Sequence, residues 1–193
     1  MTRNEKSTFR DELASRNSDP KDRRWNFVPY DQLSDAIGPL SEEDPDTLGI
    51  VLLECPWKAA QRPYHKQKLA LVLANMRHFA LEQAERGVAV DYRAVRGTYG
   101  AALRSIAREK GGLRCMRPAE LELRHDLAPV EEEGLLEILP HAGWLTTREQ
   151  FEESQSGEPP WRMDAFYRLV RRESGYLMGD DGKPLGGKFS FDA

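Results

Sequence analysis

Histidine, cysteine and long apolar runs are scarce in this 193-residue chain, and each scarcity removes a class of function. The 4 histidines, His65, His78, His125 and His141, stand at no metal-ligand spacing. The 2 cysteines, Cys55 and Cys115, are far apart and form neither a zinc pair nor a disulfide framework, so a reduced, cytoplasmic setting is expected. No apolar run approaches the ~20 residues that a bilayer span requires. The polar N-terminus, MTRNEKSTFRDELASRNSDPKDRRW, lacks the apolar centre of a secretory signal. There is no P-loop, and Gly97-Thr98-Tyr99-Gly100 falls short of the three glycines of a dinucleotide fingerprint; a tight turn accounts for it. No local motif suggests a Ser/His/Asp or Cys/His catalytic set. The net charge of -4 argues against a surface built throughout to grip nucleic acid.

What the chain does have is apolar mass for one sizeable core, with 39% hydrophobic residues. Residues 1–24 are polar and without sustained periodicity, and read as an N-terminal extension, disordered in part or briefly helical. Strands are expected at residues 25–30, 49–54, 88–93, 113–116 and 135–139, with Pro29 weakening the first. Helices are expected at 63–86, 100–110, 119–133 with a break at Pro129, 146–153, and from Trp161 onward. In the first of these, Leu69, Val72, Leu73, Met76, Phe79 and Ala80 recur at helical spacing as one core face. Met163, Phe166, Tyr167 and Val170 do the same in the last.

Strands alternating with helices imply parallel pairing by right-handed crossovers. The expected fold class is therefore α/β, a Rossmann-like five-stranded parallel sheet with helices on both faces. The expected organisation is an α/β domain at 25–160, a final helix and turn at 161–178 packed on it, and the start of an interdomain linker at 179–193.

Ligands of such sheets bind outside the carboxyl ends of the strands. That rule gathers Asp31, Gln32 and Ser34 after the first strand and Glu54 at the end of the second. It adds Tyr64, His65 and Lys66 at the start of the long helix. Acids, amides and helix N-termini suit a polar heteroaromatic ligand. Each residue also has a plainer use: Asp31 and Ser34 as caps, Glu54 as a solvated strand end, His65 as packing at the helix start. Arg168, Arg171 and Arg172 form a basic face on the last helix, solvated or turned to DNA or a further domain.

Two blocks carry a family resemblance. One is PYHKQKLALVLANMRHFA, Pro63 to Ala80, preceded by Asp31-Gln32-Leu33-Ser34 and Glu54. The other is MDAFYRLVRRESGYLMGDDGKPLGGKFSFD, Met163 to Asp192. Both resemble the N-terminal half of the deoxyribodipyrimidine photolyase-related proteins, the bacterial photolyases and cryptochromes that carry an iron–sulfur cluster. The resemblance implies an α/β antenna domain holding 6,7-dimethyl-8-ribityllumazine. It also implies a partner, a helical C-terminal domain with FAD and a 4Fe-4S cluster, which repairs pyrimidine (6-4) lesions in damaged DNA by light-driven electron transfer. By the family's motifs, Asp31, Gln32, Glu54, Tyr64, His65 and Lys66 are the candidate chromophore residues. No catalytic or metal residue is expected in this chain alone.

Two positions depart from the family pattern. Tyr30 replaces the glycine before Asp-Gln-Leu, and Tyr64 replaces the first histidine of a pair. A tyrosine at the first position fills or reshapes the pocket. These departures motivate an alternative, an α/β regulatory or interaction module that has lost its chromophore. An enzyme acting on adenine nucleotides is a third reading, disfavoured by the missing phosphate loop.

Overall fold

The computed structural model of the protein describes residues 8–155 and 157–191. In chain order the elements are α1 (Phe9–Arg16), β1 (Arg24–Phe27), α2 (Pro39–Glu42), β2 (Leu48–Glu54), α3 (Pro56–Ala60), α4 (Lys66–Glu85), β3 (Ala89–Ala94) and α5 (Tyr99–Lys110). Then come β4 (Leu113–Met116), α6 (Leu121–Glu132), β5 (Leu136–Leu139), α7 (Arg148–Ser154) and α8 (Met163–Ser174).

The five strands form one sheet in the order β3-β2-β1-β4-β5, every pair parallel. The expected α/β fold is therefore present. The chain steps outward from β1 through β2 to β3, then crosses to β4 and β5. The reversal lies between β1 and β4, where such sheets open a crevice at their carboxyl ends.

β2 shows why the sheet needs helices on both faces. Its side chains are buried from Leu48 to Leu53. Val51 and Leu53 join Leu103 and Ile106 of α5 and Leu123, Leu127 and Val130 of α6. Leu48, Ile50 and Leu52 join Leu13 of α1 and Phe79, Ala80 and Ala84 of α4 on the opposite face. A strand read as a continuous apolar run is one whose two faces are both covered.

Several boundaries differ from the sequence expectation for local reasons. β1 stops at Phe27, before Pro29. α6 runs through Pro129 without a break, because Leu123, Leu127 and Val130 form one continuous buried face. The packing of that face outweighs the single backbone bond that proline removes. The long helix begins at Lys66, with His65 as its cap, rather than at Pro63.

The N-terminal extension is ordered where it is described. Thr8 and Asp11 form a capping box for α1. Beyond that helix the Asn17 side chain donates from Nδ2 to the Val90 carbonyl and accepts at Oδ1 from the Val90 amide, each at 2.8 Å. Val90 lies on an edge strand, so Asn17 pairs backbone groups that would otherwise offer a template to another chain.

The described residues divide into two compact units, one ending at Gly143 and the other beginning at Trp144. In the second, α7 and α8 pack through Phe151 and Phe166, whose rings meet edge to face at 5.4 Å. The expected stripe on α8 is narrower than its spacing suggests: Met163 is 64% exposed. Arg171 is the larger correction. It is only 6% exposed, and its guanidinium donates to the carbonyls of Tyr176, Leu177 and Phe189. It organises the turn after α8 instead of facing outward, which leaves Arg168 and Arg172 as the exposed arginines of this set.

Candidate functional site

α4 runs antiparallel to the strands, so its first turns lie at their carboxyl ends. Arg77 reaches Glu54, the last residue of β2. The rise from Lys66 to Arg77 therefore extends about 16 Å toward or past the strand ends, at about 1.5 Å per residue. The apolar stripe registers this overhang. Met76, Phe79 and Ala80 are buried against the sheet, whereas Leu69, Val72 and Leu73 are only partly covered. A half-bare apolar wall thus stands beside the end of β2.

Glu54 lies at the inner end of that wall. Its side chain is 17% exposed. Oε1 accepts from Arg77 Nε at 2.8 Å and from the Tyr92 hydroxyl at 2.7 Å. All hydrogen bonds that the Glu54 carboxylate receives from the described residues converge on this oxygen, so Oε2 is the acceptor left for a ligand. Burial, and then the Glu54 carboxylate, push the Tyr92 phenol above its ordinary range. The hydrogen bond to Glu54 holds the Arg77 guanidinium firmly protonated.

A second cluster occupies the crevice between β1 and β4. The Tyr30 hydroxyl donates to Glu120 Oε1 at 2.7 Å, and the Lys58 ammonium lies 2.8 Å from Glu120 Oε2. One carboxylate thus joins the loop after β1, the short helix α3 and the start of α6. Arg62 and Glu122 add a second ion pair between the same segments at 2.9 Å. Burial lowers the Lys58 pKa, but the bond to Glu120 outweighs it and the net shift is upward. Burial and Glu120 raise the Tyr30 phenol. Because Tyr30 binds Glu120, its hydroxyl lies on the α6 side of the sheet edge, away from the α4 wall.

Most of the other candidate residues have local partners of their own. Asp31 sits in the electrostatic reach of Glu120, His141 and Lys58. Gln32 is buried, and its Nε2 donates to the carbonyls of Met116 and Arg117, both at 3.2 Å, so it ties β1's loop to β4. His65 accepts from the Gln67 amide at 3.2 Å, which is the plainer role of a cap. Lys66 is exposed at the first position of α4, and Tyr64 packs under the Lys68 ammonium at 5.4 Å. Ser34 closes a turn by accepting from the Ala36 amide. Among the described residues no group of acids, histidines and cysteines is placed to hold a metal. Lys58, Arg77, Tyr92 and Glu120 were not among the sequence candidates. Arg77 lies within the Pro63–Ala80 block with no role read for it, Tyr92 carries no motif, and Glu120 becomes a candidate only once β4 is known to neighbour β1.

Asp31 is held at a disadvantage. Removal of surrounding water raises its pKa, Glu120 adds to the rise, and His141 and Lys58 oppose it. A carboxyl whose folded pKa exceeds its unfolded value destabilises the fold when ionised, and the penalty fades as pH falls through that window. Asp31→Asn is therefore expected to raise the melting temperature at pH 7, with the difference from the wild type vanishing toward pH 4, measured by thermal unfolding across pH. Asp31 is exposed, so solvent screening keeps the gain small.

No helix among the described residues is long and apolar enough to cross a membrane. Residues 26–193 match the family model described as deoxyribodipyrimidine photo-lyase-related protein. The chain is also 31% identical over 172 residues to a (6-4) photolyase of Agrobacterium fabrum (strain C58), covering 84% of this chain and 34% of that relative. The chain thus spans about a third of the length of this curated relative. With the parallel sheet and the match over nearly all of its length, the chain belongs to the deoxyribodipyrimidine photo-lyase-related family.

Proposed function

We propose that this chain is the antenna portion of a photolyase-type protein, with a lumazine chromophore lodged between the overhanging face of α4 and the ends of β1 and β2. The observation that carries this reading is the half-bare wall of Leu69, Val72 and Leu73 ending at Glu54, whose Oε2 is available to accept a bond. An apolar wall with a few convergent acceptors suits a flat polar heteroaromatic ring. Glu54 and Asp31 would accept from ring N–H and ribityl hydroxyl groups. Tyr64, His65 and Lys66 would form the rim. The residues fit 6,7-dimethyl-8-ribityllumazine in one further respect: Tyr30, the departure from the family glycine, is turned to Glu120. When bound, the chromophore harvests near-UV light for a flavin.

The parent protein is proposed to pair this portion with a helical domain carrying FAD and a 4Fe-4S cluster, to act on pyrimidine (6-4) photoproducts in damaged DNA, and to work in the cytoplasm. The similarity to a (6-4) photolyase supports the repair part of that reading.

Titration of the chain with 6,7-dimethyl-8-ribityllumazine, followed by the lumazine fluorescence, tests the assignment. Glu54→Gln is expected to weaken binding at least about 10-fold, as loss of a charge-assisted bond in a shielded site does. Wild-type protein without affinity would remove the antenna role. It would favour the alternative, a regulatory or interaction module, to which the Tyr30–Glu120–Lys58 chain filling the β1/β4 crevice lends support.

A further inference from the structure

We propose that α1 is an intramolecular plug for the Glu54 end of the cleft, with the Phe9 ring occupying a place where the ring of a heteroaromatic ligand would stack. The ligand half of this proposal rests on the chromophore reading above; the plug itself does not.

The two side chains that hold Glu54 are the two that Phe9 covers. The Phe9 ring meets the Tyr92 ring edge to face, with centroids 4.8 Å apart. The Arg77 guanidinium lies 5.6 Å from the Phe9 centroid. Tyr92 and Arg77 in turn bind Glu54 Oε1 at 2.7 and 2.8 Å. A tyrosine face beside a guanidinium plane attracts any flat π-system, and Phe9 is the one the chain supplies.

α1 is also built to leave. It has eight residues and fully buries one side chain, Leu13. A helix of that length has no stability of its own in water, so undocking and unwinding are one step. Its other ties are peripheral: an ion pair from Arg16 to Glu85 and the Asn17 amide on Val90. Local opening of such a segment requires far less than global unfolding. α1 lies before residue 26, where the family match begins, so that match does not include it. While Phe9 is seated, the apparent affinity of a competing ring falls by the fraction of chains that are open.

The experiment uses the whole chain with Phe9→Ala, and with Asn17→Ala as a second variant that loosens α1 without touching the cluster. Tetranitromethane nitration at Tyr92, mapped by mass spectrometry, reads the cover; lumazine fluorescence reads the site. Unfolding midpoints establish that each variant is folded, and if Phe9→Ala does not fold, Asn17→Ala carries the test. The expected result is nitration faster by about 5-fold or more and lumazine affinity tighter by a similar factor, as removal of a competing closed state requires. Unchanged nitration in a folded variant overturns the plug. So does faster nitration with unchanged or weaker affinity in a protein that binds lumazine. Faster nitration in a protein that binds none sustains the cover and removes the chromophore reading instead.

Discussion

Glu120→Ala is expected to lower the unfolding free energy by about 3 kcal/mol, the lower end of what loss of one member of a buried ion pair brings. Glu120 and Lys58 are 26% and 13% exposed, so water can repair little of what the substitution breaks. The alanine leaves the Lys58 ammonium without its carboxylate and the Tyr30 hydroxyl without its acceptor. Urea unfolding measures the loss, and an unchanged slope with denaturant would show that it is one of stability rather than of compactness. Glu120→Gln keeps an acceptor for Tyr30 and is expected to lose less. Adding Lys58→Met to Glu120→Ala is expected to recover at least half the loss, because the stranded charge is then gone. A change below about 0.5 kcal/mol in Glu120→Ala would mean that the cluster behaves as an exposed surface pair.

That cluster also marks where sequence reading reaches its limit. The five strands were legible as short segments between glycines, prolines and helices, and β2 is apolar almost throughout. The order β3-β2-β1-β4-β5 was not legible, since no single residue encodes which strand lies beside β1. Without that order, Glu120 is one glutamate among several on an acidic helix. With it, Glu120 faces Tyr30 across the switch point.

Glu54 was legible as a strand-end acid, and its partners were not, because Arg77 and Tyr92 come from two other elements. The α4 stripe misled in an instructive way. Its spacing is uniform from Leu69 to Ala80, yet only its later half meets the sheet. Periodicity reports a face; it does not report how far the opposing layer extends. Arg171 misled for a related reason: three arginines in one helix suggest a basic surface, but the chain after Gly175 turns back and offers carbonyls that take one of them inside.

Gly100→Ala provides the second large effect, and its sign separates two arguments. On helix propensity alone, alanine for glycine in a helix gains about 1 kcal/mol. In the fold, a Cβ at residue 100 would stand 2.2 Å from the Asp126 main-chain oxygen and 3.1 Å from its Oδ1. The first of these is backbone in the middle of α6 and cannot swing aside. The Gly100 amide also donates to Asp126 Oδ2 at 2.9 Å, so the close approach of α5 and α6 is bonded as well as packed. Relief requires the two helices to part, which loosens Leu103 and Ile106 against Leu123 and Leu127. The expected result is a loss of about 3 kcal/mol, at the upper end for overpacking in a tight core. The change must also reach the sheet edge, because α6 begins beside Glu120 and carries Glu122, the partners of Lys58 and Arg62. Displacing α6 is therefore expected to weaken the Lys58–Glu120 pair, so Glu120→Ala should lose less in the Gly100→Ala background than alone. Additive losses would show that the helix contact and the crevice cluster are independent; a stabilised Gly100→Ala would show that α5 and α6 do not approach this closely.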